Sequence, residues 1–255
     1  MGKINQLIQQ WPKGTIKTVK DLADLGYSPQ ILKTYTTYKW LSLIGRGAYK
    51  LFNDEVDWSG GLYCLQSKKG NTIHVGGKSA LEYKGYAHYI PQQKAKVELF
   101  GNVRSTLPRW FTQQGWIKNI SYFKTDIFKY SGLAAYTSTN ISNVKIEVSS
   151  PELAIMEMLY LVPKVHSFEE ADLIMESLTT LRGELLQTLL EKCNSVKVKR
   201  IFLYLSEKHK HAWLHDFDQT KINLGSGKRV IIKNGRLDKK YNITVPRGNE
   251  GQPIF

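Results

Sequence analysis

Residues 26–51, GYSPQILKTYTTYKWLSLIGRGAYKL, set a proline-opened helical pattern directly before an alternating one, and few folds accommodate both in so little chain. Ser28 has N-cap chemistry, and Pro29 stands at the first helical position, where its missing N–H costs nothing. The spacing predicts a helix from about Pro29 to Tyr38. Turned at ~100° per residue, it puts Ile31, Leu32, Tyr35 and Tyr38 on one side and Gln30, Lys33 and Thr37 on the other, flanked by Thr34 and Thr36. LSLIGRGAYKLF then alternates about Gly-Arg-Gly, which predicts a β-hairpin with Arg46 at its tip. Upstream, Ile4, Leu7 and Ile8 give a helix over Lys3 to Gln10, stopped by Pro12-Lys13-Gly14. Val19, Leu22, Ala23 and Leu25 give a second, with Gly26 as its C-cap. Three helices and a basic hairpin make a winged helix-turn-helix, a DNA reader.

The outward face of the third helix supports that reading. A surface helix chosen for stability favours Glu, Ala and Lys, because Thr is a weaker helix former. Gln30, Lys33, Thr34 and Thr37, with no carboxylate among them, can approach phosphates and donate to base edges, while Arg46 serves the wing. Winged helices also serve as protein-binding modules; the missing carboxylates count against that use here.

Charge is distributed to match. Residues 1–50 hold seven Lys and one Arg against Asp21 and Asp24, residues 51–194 are neutral, and residues 195–240 hold 12 basic groups against four acidic ones. The formal net charge of +14 therefore sits in two blocks, as an electrostatic footprint would. In the second block Lys197, Lys199, Arg200, Lys228, Arg229, Lys239 and Lys240 form a candidate second basic surface. It would extend the DNA contact or engage RNA or another acidic partner.

A chain of 255 residues with 42% apolar content has room for one large domain or two ordinary ones, each with a real core. No run approaches the ~18 apolar residues of a membrane helix. The N-terminus has no signal-peptide pattern, Gln6 stands where a myristoylation signal wants Ser or Thr, and Cys64 and Cys193 suggest neither a disulfide framework nor zinc. A cytoplasmic location with no membrane partner is expected.

Farther along, DWSGGLYCLQSKKG reads as a helix packing the winged module onto the rest, and Leu81 and Tyr86 as inward-facing. β-type runs at KVELFG, ISYFK and NVKIEVS precede helices in SSPELAIMEMLYLV, SFEEADLIMESLTTL, RGELLQTLLEKC and SVKVKRIFLYLSEKHK. Ser167 and Glu170 form a capping-box pattern, and Lys197, Arg200 and Lys208 are placed facing away from the core. Gly76-Gly77-Lys78-Ser79 suggests a phosphate loop, but Thr72 stands where a Walker A motif needs Gly; a strand–turn–helix junction explains the glycines. GSGKR at 225–229 is read as a hairpin turn between residues 222–224 and 230–232. His209, His211 and His215 lack an acidic or thiolate partner at a known spacing, so a polar helix end is expected rather than a metal site. No catalytic constellation emerges, and no metal or cofactor is expected.

The winged module ending LIGRGAYKLF, then HVGGKSALEYKGYAHYIP, VELFG and LPRWF, resembles the AbiEi family of antitoxins and transcriptional regulators of bacterial type IV toxin–antitoxin systems. The second half agrees in SSPELAIMEML, SVKVKRIFLYLSEK and LGSGKRVIIKNGRLDKKYNITVPRG, so the resemblance spans nearly the whole chain. It implies a protein that binds inverted repeats upstream of its operon, represses it, and counteracts a nucleotidyltransferase toxin through its C-terminal domain. In type IV systems the antitoxin opposes the toxin's effect without necessarily contacting it. The family's link to abortive phage infection suggests a phage-defence context. The expected fold is mixed α/β (α+β): a winged helix-turn-helix at residues 1–90, core 3–52 with a packing extension, followed by a mixed α/β antitoxin domain at 91–255. A non-enzyme is expected. Two other readings stay open: a one-component repressor with a ligand-sensing C-terminal domain, and an enzyme, nuclease or nucleotide-dependent kinase, targeted by the winged helix.

Overall fold

The computed structural model describes residues 2–86, 96–130 and 132–247. The expected domain boundary at 90/91 and the end of the HYIP block lie outside the described residues.

The chain opens with α1 (Lys3–Gln9), β1 (Lys17–Thr18), α2 (Val19–Asp24), α3 (Pro29–Thr37), β2 (Leu41–Gly45) and β3 (Ala48–Leu51). β3 pairs antiparallel with both β1 and β2, giving a three-stranded sheet ordered β1-β3-β2. α2 begins where Thr18 accepts from the Asp21 N–H and Asp21 accepts from the Thr18 N–H, a complete capping box. Leu7, Trp11, Leu22, Leu32, Tyr35 and Leu41 join in a small core. This is the expected winged helix-turn-helix with one correction. Tyr38, assigned to the inward side, is 67% exposed because the helix ends at Thr37 and Lys39 turns the chain with φ of 56°.

Next come α4 (Trp58–Gln66), β4 (His74–Val75), α5 (Gly77–Tyr83), β5 (Val97–Gly101), α6 (Arg109–Thr112), β6 (Ile120–Lys124), β7 (Tyr136–Ile141) and β8 (Val144–Ser149). The strands form a mixed sheet ordered β6-β5-β4-β8-β7. Its register sets Val75 beside Leu99 and Val148 on one face, and His74, Phe100 and Phe123 on the other. α4 bridges the two parts: Gly60 comes so close to Gly14 that a Cβ would sit 1.7 Å from its carbonyl oxygen, and Lys68 pairs with Asp21 of α2.

α7 (Pro151–Leu161), α8 (Phe168–Ser177), α9 (Gly183–Lys192) and α10 (Val196–Lys208) then pack into a larger core that also takes Leu62, Leu81, Leu99 and Val148. The chain closes with β9 (Arg229–Val230), β10 (Arg236–Asp238) and β11 (Ile243–Val245). Residues 222–224 and 230–232 do not form the expected hairpin. Instead β9 runs parallel to β11, which pairs antiparallel with β10. No helix among the described residues is long and apolar enough to cross a membrane.

Candidate nucleic-acid interface

α3 is positioned by its caps and by two buried anchors. Ser28 accepts from the Ile31 N–H, Pro29 fills the first turn, and Leu32 and Tyr35 insert into the small core. Gln30, Lys33, Thr34 and Thr37 consequently stand exposed on the opposite face. Thr34 and Thr37 donate their hydroxyl protons to the carbonyls of Gln30 and Lys33, each at 3.1 Å. Their lone pairs remain acceptors, while donation to a ligand requires the O–H to turn about Cβ–Oγ1 and give up its carbonyl. Among the described residues, the side chains of Gln30 and Lys33 make no hydrogen bond or ion pair, so they can meet a partner without first breaking an internal contact.

The wing presents Arg46 at its exposed tip between Gly45 and Gly47. Gly47 has a φ of 79°, and its carbonyl accepts from the Val19 N–H at 2.9 Å, tying the tip to the start of α2. Gly45 lies against α6: a Cβ there would fall 2.8 Å from the Trp110 Cβ. Gln114 Nε2 donates to the Ile44 carbonyl at 2.5 Å and to the Trp110 carbonyl at 3.0 Å, which satisfies an edge acceptor of β2. Residues 25–53 contain no Asp or Glu, so every formal charge from the end of α2 through the wing is positive. Gln30, Lys33, Thr34, Thr37 and Arg46 thus share one module, and all five are exposed. The same region also exposes Trp40 and Phe52, beside Tyr38, which helical periodicity did not single out.

The second basic surface is only partly formed. Lys199 and Arg200 are buried, at 5% and 3% exposure, and Lys197 is half-buried. Lys197 Nζ donates to the carbonyls of Tyr160 and Val162, both at 2.6 Å, and burial lowers its pKa to about 8. Arg200 donates to four backbone carbonyls. The expected outward projection of Lys197 and Arg200 is therefore corrected: their charges stabilise chain carbonyls from within. Lys228, Arg229, Lys239 and Lys240 are exposed, Lys240 being paired with Glu207.

Internal acids occupy the amides of the Gly76–Ser79 junction. The Gly77 N–H donates to Glu157 Oε2 at 3.0 Å and the Lys78 N–H to Glu98 Oε2 at 2.8 Å. Glu157 is fully buried and also meets His74 Nε2 and Ser149 Oγ, each at 2.8 Å. These carboxylates hold α5 to α7 and β5, where a nucleotide phosphate would otherwise need the same donors. In the histidine run, His209 bonds Asp172, and His211 donates to the Met175 carbonyl while stacking on Trp213. No group of three or more metal-binding side chains assembles among the described residues.

Comparison with known proteins bears on both halves. Residues 1–92 match the family described as "Transcriptional regulator, AbiEi antitoxin N-terminal domain", and residues 94–246 match "Transcriptional regulator, AbiEi antitoxin, Type IV TA system". No curated protein matches the chain. Among solved structures, the crystal structure of the RV2827C protein from Mycobacterium tuberculosis is similar in fold, with a TM-score of 0.58 at 13% identity over 94% of this chain and 88% of that one. The chain belongs to the AbiEi antitoxin family of transcriptional regulators of type IV toxin–antitoxin systems.

Proposed function

We propose that this regulator binds duplex operator DNA through α3 and the wing, represses its own operon at inverted repeats, and counteracts a nucleotidyltransferase toxin through its second half. In this reading Gln30, Lys33, Thr34 and Thr37 enter the major groove, and Arg46 meets the flanking backbone or minor groove. The observation that carries it is the exposed face of α3, where Gln30 and Lys33 are unengaged in a segment without carboxylates. No carboxylate in residues 25–53 stands among these side chains to repel a polyanion. Membership of a regulator family makes DNA the natural polyanion.

Gel-shift titrations of Lys33→Ala and Arg46→Ala against the operon's upstream repeats test the assignment. Each variant is expected to keep its fold and to bind more weakly, and each lost phosphate contact to flatten the slope of log K against log salt by roughly 0.9. Unchanged affinity in both would remove α3 and the wing from the DNA contact. Toxin counteraction is tested separately by co-expressing a nucleotidyltransferase toxin with this chain or with Lys33→Ala; rescue by both would separate neutralisation from operator binding, and rescue by neither would remove the antitoxin role.

A further inference from the structure

Arg200 is a buried guanidinium with no carboxylate partner among the described residues. Its Nε donates to the Leu224 carbonyl at 2.9 Å, Nη1 to Gly227 at 2.6 Å and Asn242 at 3.2 Å, and Nη2 to Gly225 at 3.1 Å. A buried cation demands such compensation, and carbonyl dipoles supply it here. The chain from Leu224 to Gly227 therefore curls around the guanidinium. Gly225 and Gly227 make the curl possible with φ of 60° and 75°, values that a residue with a Cβ adopts only at a cost. Gly225 also fits where a Cβ would meet Val196 Cγ2 at 2.9 Å.

This inward arrangement fixes what faces outward. In a trans peptide unit the C=O and the following N–H point in opposite directions. With the Gly225 and Gly227 carbonyls turned to Arg200, the N–H groups of Ser226 and Lys228 must point away from it. Both residues are exposed, and among the described residues neither N–H has a hydrogen-bond partner. Their neighbours are satisfied: the Gly225 N–H donates to Asn223 Oδ1 at 2.8 Å, and the Arg229 N–H to the Asn242 carbonyl at 2.9 Å. Outward amides on either side of a left-handed glycine, here Ser226 and Lys228 about Gly227, are the kind of backbone donors that hold anions. Two exposed cations border them, Lys228 and Arg229, and Arg229 Nη1 lies alongside through a 3.3 Å bond to the Lys228 carbonyl. Residues 219–237 contain no Asp or Glu to compete for these donors.

We propose that Gly225–Arg229 is a phosphate-binding loop, in which the Ser226 and Lys228 amides and the Lys228 and Arg229 side chains hold a phosphate ester. The loop leads into strand β9 rather than a helix, and it is open to solvent. It thus grips a phosphate from one side, as suits a phosphate carried on a larger molecule: a nucleotide, or the backbone of a nucleic acid. The site uses no residue of α3 or the wing, so it stands or falls apart from the operator reading.

The test follows the Ser226 and Lys228 amides of the ¹⁵N-labelled full chain by NMR, at constant ionic strength, during titration with inorganic phosphate. Both amides are expected to shift saturably, and the K228A/R229A double variant, with an otherwise preserved spectrum, to bind about tenfold more weakly or worse. Separate titrations with GTP, an RNA hairpin and a duplex DNA without operator repeats identify the source. Whichever moves the same two amides at a lower concentration than inorganic phosphate is the class the loop takes. The proposal is overturned if neither amide moves with any of these probes up to about 10 mM, or if the double variant binds as well as the parent chain.

Discussion

His166 stands between two carboxylates, with Nε2 2.6 Å from Glu98 and Nδ1 3.0 Å from Glu170, whose other oxygen meets Lys78 Nζ at 2.7 Å. Burial works against its charged form, but the hydrogen bond to Glu98 and the charges of Glu98 and Glu170 outweigh it and hold its pKa above the ordinary 6.5. Both ring nitrogens can donate to carboxylates only when the imidazole is protonated. A histidine whose folded pKa is raised contributes stability that is full below its unfolded value and is lost as pH rises through the folded one. Glu170 behaves oppositely: burial raises its pKa, Lys78 and His166 more than reverse that, and its contribution is lost as pH falls through the lowered value. The cluster should therefore stabilise most at mildly acidic pH. Urea denaturation at a series of pH values is expected to show stability falling above about 6.5, with the slope reduced in His166→Gln. An unchanged slope in that variant would assign the loss to other groups.

At the scale of elements, the wing is not an independent hairpin. Gly45 of β2 rests on Trp110 of α6, and Gln114 donates to the Ile44 carbonyl on the strand's outer edge. A single methyl at position 45 meets the Trp110 Cα at 2.9 Å as well as its Cβ, and backbone cannot yield as a flexible side-chain tip can. Gly45→Ala is thus expected to lift the wing from α6, costing about 1–3 kcal/mol and weakening operator binding although no charge changes. Thermal melts and gel shifts on the same preparation check both effects. α3 shows how far periodicity carries at this scale: Ile31, Leu32 and Tyr35 turn inward as the spacing predicts, and Tyr38 does not. One residue past the helix end, the 3.6-residue period no longer applies.

For the whole molecule, two hydrophobic cores of unequal size coexist. The smaller holds Leu7, Trp11, Leu22, Tyr27, Leu32, Tyr35, Leu41 and Leu51, while the larger spans the five-stranded sheet and α7 to α10. Fewer buried contacts make the winged module the place where local opening is cheapest. Leu32, fully buried at its centre, is the sensitive position: Leu32→Ala should cost about 2–5 kcal/mol. Hydrogen exchange is expected to accelerate in residues 3–51 of that variant while α7 and α10 stay protected. Uniform acceleration through both cores would instead mean that the chain opens as one cooperative unit.

Much of this was legible in the amino-acid order, because local signals decide local structure. Ser28-Pro29 set the start of α3, Gly45-Arg46-Gly47 the wing, and the lack of carboxylates from residue 25 to 53 the polarity of the exposed face. The missed features depend on distant chain. Arg200 reads as a solvated charge until the backbone of residues 224–242 closes over it, and the amides of Gly77 and Lys78 look available until Glu157 and Glu98 arrive from α7 and β5. Periodicity and capping act within a few residues, so sequence alone determined α1 to α3 and the wing. Which polar groups face water depends on what the fold brings against them, and only the tertiary structure decided that.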